Sequence, residues 1–285
     1  MRTPWIAESC TRSVYPCGIV SRALTHDTHR SRESMESTKT NAQGAPDAEA
    51  LARLQHITDE LAALAKASGR PADSVQLIAV SKRHPLARIL TLARAGQHAF
   101  GENYVDEAIE KMQAARTEDA ALAESIEWHF IGRIQSNKTR AIAEHFDWVH
   151  SVDREKIARR LSEQRPAGRT PLNCLIEVNV SGEASKGGVA PDEVPALAET
   201  MRALPGIALR GLMALPAPET DPARQEAAFR EVAALAAALN QDPGEAPNAP
   251  LDVLSMGTSG DYAAAIAAGA THVRIGTAVF GARPA

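Results

Sequence analysis

Beyond Asp47 the chain alternates between two hydrophobic periods, and that alternation limits its fold more than any other feature. Leu51, Leu54, Ile57, Leu61 and Leu64 recur at helical spacing and predict a helix that stops near Gly69, after which VQLIAVSK reads as a buried strand. The same pair of signals then repeats. A helix over Pro85 to Gly96 precedes the strand HAFGENY, a helix over Asp106 to Ala115 precedes EWHFIGRI, and a helix from Ser136 precedes WVHSVD. Asp153 can cap the helix REKIARRLSEQ, and TPLNCLIEVNV follows as a strand. Helices over Pro191 to Ala203 and Ala223 to Leu239 separate IALRGLMAL from LDVLSMGTS, and YAAAIAAGA precedes THVRIGTAVFG. Eight continuous apolar strands, each separated by a helix, describe a parallel sheet covered on its outer side. The expectation is an α/β protein: a (β/α)8 or TIM barrel forming a single domain over residues 46–285, of the size usual for that closure. A doubly wound open sheet is the alternative, but no Gly-rich dinucleotide fingerprint follows the first strand.

Residues 1–45 differ in kind. They are rich in Ser, Thr and Arg, lack apolar periodicity, and carry only Glu8, Asp27 and Glu33 as acids before Met35. A disordered leader is expected, or an upstream reading of the start with Met35 as the true first residue. The Arg/Ser bias faintly suggests a mitochondrial transit peptide, but no clear amphipathic helix accompanies it, nor the apolar core of a secretory signal. The net charge of -4 gives no basic footprint for nucleic acid, and no apolar run approaches the roughly 20 residues of a membrane span. Of three cysteines, Cys10 and Cys17 lie in the leader and Cys174 falls inside NCLIEV, so a disulfide framework is not expected and a cytoplasmic location is.

Within a barrel, function gathers at the carboxyl ends of the strands, where the polar residues Lys82, Asn103, Gln135, Asn179 and Ser259 end their runs. A lysine there is either a charge at the rim or, if its ammonium is partly desolvated against Ile78 and Val80, an amine able to form an imine with a carbonyl. The loops after strands seven and eight bear on that choice. SMGTSGD places Gly257, Thr258, Ser259 and Gly260 directly before a helix, whose first-turn N–H groups favour an anion, and RIGT adds Gly276 and the Thr277 hydroxyl. Tight turns alone would use the same residue types. At these two strands of a barrel, however, they are expected to hold a phosphate. Strand eight closes on strand one, so a phosphorylated aldehyde beside Lys82 is the natural ligand, and pyridoxal 5'-phosphate (PLP) is the candidate.

AVSK, FGENYVDEA, EWHFIGRIQSNK, HSVDREKIA, VNVSGEASKGG, RGLMALPA, LSMG and VRIGTAVFGAR occur in order between Asp47 and Arg283. On these motifs the chain resembles the pyridoxal phosphate homeostasis family, whose fold matches the barrel of alanine racemase. The resemblance implies that Lys82 carries PLP as an internal aldimine, that Ser259, Gly260, Gly276 and Thr277 surround its phosphate, and that Arg274 faces the pyridine nitrogen. It also implies that Asn103, His129 and Met256 line the pocket. Two positions depart from the family. His84 stands where a second lysine is common, which puts any role of that lysine in passing PLP on in doubt, and Thr258 stands where the family commonly has Met.

An arginine cannot readily protonate the ring nitrogen, so the bound cofactor would be a weak electron sink. Racemases of this fold also take an acid–base tyrosine from an added β-domain, and none of Tyr15, Tyr104 and Tyr262 corresponds to it. The resemblance thus implies a monomeric carrier that buffers PLP and supplies apo-enzymes, with a PLP-dependent amino-acid racemase as the alternative and a cofactor-free imine aldolase behind it. In SGEASKGG, Lys186 is either a solvated loop lysine or a second amine that accepts PLP from Lys82 by imine exchange. On the second reading Lys186→Ala slows PLP transfer to an apo-enzyme without changing PLP content, as stopped-flow reactivation would measure; equal rates would return Lys186 to the solvated surface.

Overall fold

A computed structural model describes residues 47–183, 187–241 and 250–282. The expected leader, residues 1–45, and Lys186 lie outside the described residues. The strands β1 (Gln76–Val80), β2 (Ala99–Glu102), β3 (Glu127–Phe130), β4 (Trp148–Val152), β5 (Leu172–Val178), β6 (Ile207–Ala214), β7 (Val253–Ser255) and β8 (His272–Ile275) form one closed parallel barrel in sequence order. Closure sets Ile78 opposite Arg274 and Ala79 opposite Ile275, so the open-sheet alternative is excluded.

The helices α1 (Ala48–Ala67), α2 (Leu86–Arg94), α3 (Val105–Glu118), α4 (Ala120–Glu124) and α5 (Thr139–His145) surround the first half of the barrel. α6 (Glu155–Gln164), α7 (Val194–Arg202), α8 (Pro222–Gln241), α9 (Tyr262–Ala267) and the single-turn α10 (Thr277–Phe280) surround the second. Among the described residues no helix is long and apolar enough to cross a membrane. The sequence pattern did not anticipate α4 or α10. Asp119 starts α4 by accepting from the Leu122 amide, a cap that leaves little trace in hydrophobic periodicity.

Strand side chains alternate between two environments. Phe100, Phe130, Val149, Ile176, Leu212 and Val273 face outward into a continuous shell shared with the helices. Among the described residues, Trp148, Leu175, Met213 and Val253 form a separate apolar cluster within the barrel. At roughly 1.5–3 kcal/mol for each large apolar side chain buried, the helix-facing shell dominates the stability, and the barrel interior is left to hold polar groups. These include His129, His150, Ser255, His272 and Arg274, all buried.

The exit of β1 is fixed by a buried ion-pair cluster. The Ser81 hydroxyl donates to Glu102 at 2.7 Å, and Lys111 Nζ donates to the Ser81 carbonyl at 2.9 Å, to Glu102 at 2.7 Å and to Glu107 at 2.7 Å. Glu107 also accepts from the amide of Arg83, whose φ of 62° lies in the left-handed region that non-glycine residues rarely occupy. Lys82 therefore stands between two anchored neighbours. Burial pushes the Glu102 carboxyl up, against the Lys111 ammonium beside it, which pulls it down. Lys111→Met would leave that carboxylate buried without its cation and is expected to cost about 3–5 kcal/mol near pH 8. Its loss would raise the folded-state pKa of Glu102 further, so folded protein would bind a proton that unfolded protein releases, and the deficit should shrink near pH 5. Urea unfolding at both pH values checks this; a variant as stable as wild type at pH 8 would show that the cluster carries no such load.

Candidate functional site

At the carboxyl ends of the strands lies a cavity of about 270 Å3, lined by Val80, Lys82, His84, Asn103, Ile131, Leu215, Thr258, Ser259, Arg274, Gly276 and Thr277. A larger one of about 780 Å3 opens at the other end of the barrel, among Leu51, Gln55, Asp73, Gln76 and His98. Size does not decide between them. The smaller cavity sits among the strand-to-helix loops and gathers an amine, a guanidinium and several hydroxyls, the convergent polar groups that mark a ligand site.

Six of the nine expected site residues meet there: Lys82, Asn103, Ser259, Arg274, Gly276 and Thr277. Gly260 instead lines an adjoining space of about 350 Å3 with Pro216 and Pro218, which reaches the first through shared Leu215 and Thr258. Two expectations are corrected. Met256 follows the inward-facing Ser255 and so turns outward, into the shell between barrel and helices. His129 faces inward but one layer below the cavity wall, roughly 6–7 Å deeper along β3 than Ile131, the residue that does line the cavity. Of the other polar strand ends, Gln135 lines a separate cavity with Asp106 and Lys138, and the Asn179 amide donates to the Glu183 carbonyl.

The buried guanidinium of Arg274 is the strongest charge at the cavity floor. Its Nη1 donates to the Ser255 carbonyl and hydroxyl, each at 2.6 Å, and its Nη2 to the Ala214 carbonyl at 2.9 Å. Burial lowers its pKa to about 10, opposed by Asp261 and Glu177, so it stays charged at neutral pH. The three bonds use three of the five N–H donors of a guanidinium and leave two uncommitted among the described residues.

The hydroxyls are not equivalent. Thr258 donates its own to Asp261, which also accepts the Thr258 amide, so Ser259 and Thr277, both exposed, are the ones left to a ligand. Asn103 brings a buried side-chain oxygen without a partner among the described residues. Its backbone is approached so closely by Gly132 that a Cβ there would lie 2.2 Å from the Asn103 carbonyl oxygen, so only glycine lets the β3 exit pack against it. Sequence reasoning missed Ile131 and Leu215 as wall residues; each merely continues or follows an apolar strand run, which signals burial and not a site.

The family profile described as "Alanine racemase, N-terminal domain" matches residues 52–284. A pyridoxal phosphate homeostasis protein of Pseudomonas aeruginosa is 56% identical over 220 residues, 77% of this chain and 89% of that one. One of Vibrio cholerae is 52% identical over 230 residues, 81% of this chain and 94% of that one. Among solved structures, PipY of Synechococcus elongatus with PLP bound superimposes with a TM-score of 0.69 at 39% identity, covering 81% of this chain and all of that one. An alanine racemase of Corynebacterium glutamicum, at 20% identity and a TM-score of 0.57, shares the fold. The chain belongs to the pyridoxal phosphate homeostasis family, built on the alanine racemase N-terminal barrel.

Proposed function

We propose that this protein holds PLP on Lys82 and serves cytoplasmic PLP homeostasis as a monomeric carrier that delivers it to apo-enzymes. The observation that carries the reading is that Lys82 is the one primary amine among the described residues lining a cavity that also offers exposed hydroxyls and a buried guanidinium. The donor set fits the cofactor. Ser259 and Thr277 can donate to a phosphate, Arg274 keeps two N–H groups for the ring nitrogen, and Val80, Ile131 and Leu215 provide apolar walls for a flat ring. PLP supplies an aldehyde that an amine can hold covalently and reversibly, with an electron-withdrawing ring behind it.

Carriage suits the residues better than turnover. A guanidinium donates hydrogen bonds but does not readily yield a proton, so Arg274 beside the ring nitrogen would leave it unprotonated and would make a bound cofactor a weak electron sink.

Lys82→Ala is expected to give folded protein without the visible absorption band, while borohydride treatment of loaded wild type fixes the pyridoxyl group on the peptide containing Lys82. Label found only on another lysine, such as Lys138, would overturn the assignment.

Thr277→Val removes a hydroxyl at nearly constant volume. A hydrogen bond to a charged partner is worth roughly 1.5–3 kcal/mol, so PLP affinity should fall by about one to two powers of ten. Pyridoxal, which lacks the phosphate, should bind wild type poorly. Equal affinities for PLP and pyridoxal by titration would refute a phosphate site at these loops.

A further inference from the structure

Arg274 is supported from beneath by a chain of buried side chains that crosses the barrel interior. The Ser255 hydroxyl, which accepts from Arg274, lies 2.9 Å from His150 Nδ1, and His150 Nε2 lies 2.9 Å from His129 Nδ1. Beyond that, His129 Nε2 has no hydrogen-bond partner among the described residues; the Glu127 carboxylate, which accepts from Trp148 Nε1 and the Gln76 amide, lies 3.7 Å away, past hydrogen-bond reach. Ser255, His150 and His129 are wholly buried. The links come from β8, β7, β4 and β3, so only the closed barrel assembles them.

The Arg274 end sets the direction of the chain. A guanidinium can only donate. With Arg274 donating to the Ser255 oxygen, the Ser255 proton turns to His150 Nδ1, which must then be an acceptor. Burial keeps both imidazoles neutral, so His150 carries its single proton on Nε2 and donates to His129 Nδ1. His129 in turn carries its proton on Nε2, on the side of Glu127 but without a hydrogen bond to it. In the reverse direction Arg274 and His150 would both donate to the Ser255 oxygen, and its own proton would have no acceptor among the described groups.

We propose that Ser255, His150 and His129 are positioning residues for Arg274, a one-directional hydrogen-bond chain ending at His129 that fixes the guanidinium so that its remaining N–H groups meet the ring nitrogen of the ligand. The ligand half of this inference rests on the PLP reading; the chain itself does not. A buried side-chain hydrogen bond to the cation holds the planar group in one orientation, where the backbone carbonyls of Ser255 and Ala214 alone would allow it to tilt.

The test has two arms. Long-range 1H–15N correlation on ligand-free protein near neutral pH, with His129 and His150 assigned through substitutions, should show both as Nε2–H tautomers; either one as the Nδ1–H tautomer overturns the chain. In the second arm His150→Leu removes both links, and PLP affinity should fall about tenfold, the loss expected for one hydrogen bond to a charged group, with a displaced absorption band. His150→Gln keeps one acceptor and one donor and should restore both to within about twofold. A folded His150→Leu protein with wild-type affinity and band would refute the positioning role. Should that variant fail to fold, Ser255→Ala removes only the middle hydroxyl and carries the same expectation and the same refutation. Wild type that binds no PLP would defeat the cofactor reading, while the tautomers would still decide the chain.

Discussion

Pairing of β8 with β1 brings Lys82 and Arg274 into one cavity although they lie roughly two hundred residues apart, a separation that makes the contact costly in loop entropy. Its ladder runs from Gln76 opposite His272 to Ala79 opposite Ile275, after which the two chains leave the barrel side by side as Ser81-Lys82 and Gly276-Thr277. Several arginines reinforce the closure. Arg53 and Arg88 donate to the carbonyl of Phe280 at the end of α10, and Arg70 donates to the carbonyls of Ile266 and Ala270 around α9. These bonds tie the last two helices to the first segments of the barrel, so carbonyls that end short helices are satisfied by the elements that must adjoin them.

A polar barrel interior has an energetic consequence. Barrels of this type usually fill their interior with branched apolar side chains, whereas this one places an arginine and three histidines there. Burial pushes His150 well below its ordinary range and His272 down to about 3, so the imidazoles stay neutral and Arg274 carries its charge beneath the cavity. Such an arrangement is tolerable because the helix-facing shell supplies most of the apolar burial. The interior can then be shaped for holding a charge at the cavity floor.

Strand alternation made the barrel legible, because fully buried parallel strands and amphipathic helices differ in period and the chain repeats the pair regularly. Lys82, Asn103, Ser259, Gly276 and Thr277 were legible as residues of the cavity for a related reason, since each lies past a strand end, whereas Arg274, inside β8, came only with the family resemblance. His129 was misplaced because a motif names a residue without naming its layer, and in β3 two positions separate a cavity wall from the barrel centre. His150 and Ser255 carried no signal at all. A single polar residue inside a strand reads as an interruption of the apolar run, and only the closed barrel shows that the interruptions in β3, β4, β7 and β8 face one another.

The form of the cavity also bears on what a bound cofactor could do. Catalysis on an amino acid would need acid–base groups on both faces of the substrate and exclusion of water. Among the described lining residues the ionisable side chains are Lys82, His84 and Arg274. His84 leaves the same strand exit as Lys82, two residues on, and its ring stacks on Phe280 with centroids 4.6 Å apart, so it is packed into the wall rather than set across from the amine. The mouth is open: Tyr104 follows Asn103 at 47% exposure, and Leu215 on the rim is 53% exposed. A cavity with a guanidinium at its floor, one amine in its wall and a rim open to solvent is suited to taking up and releasing the same molecule, as the proposed carrier role requires.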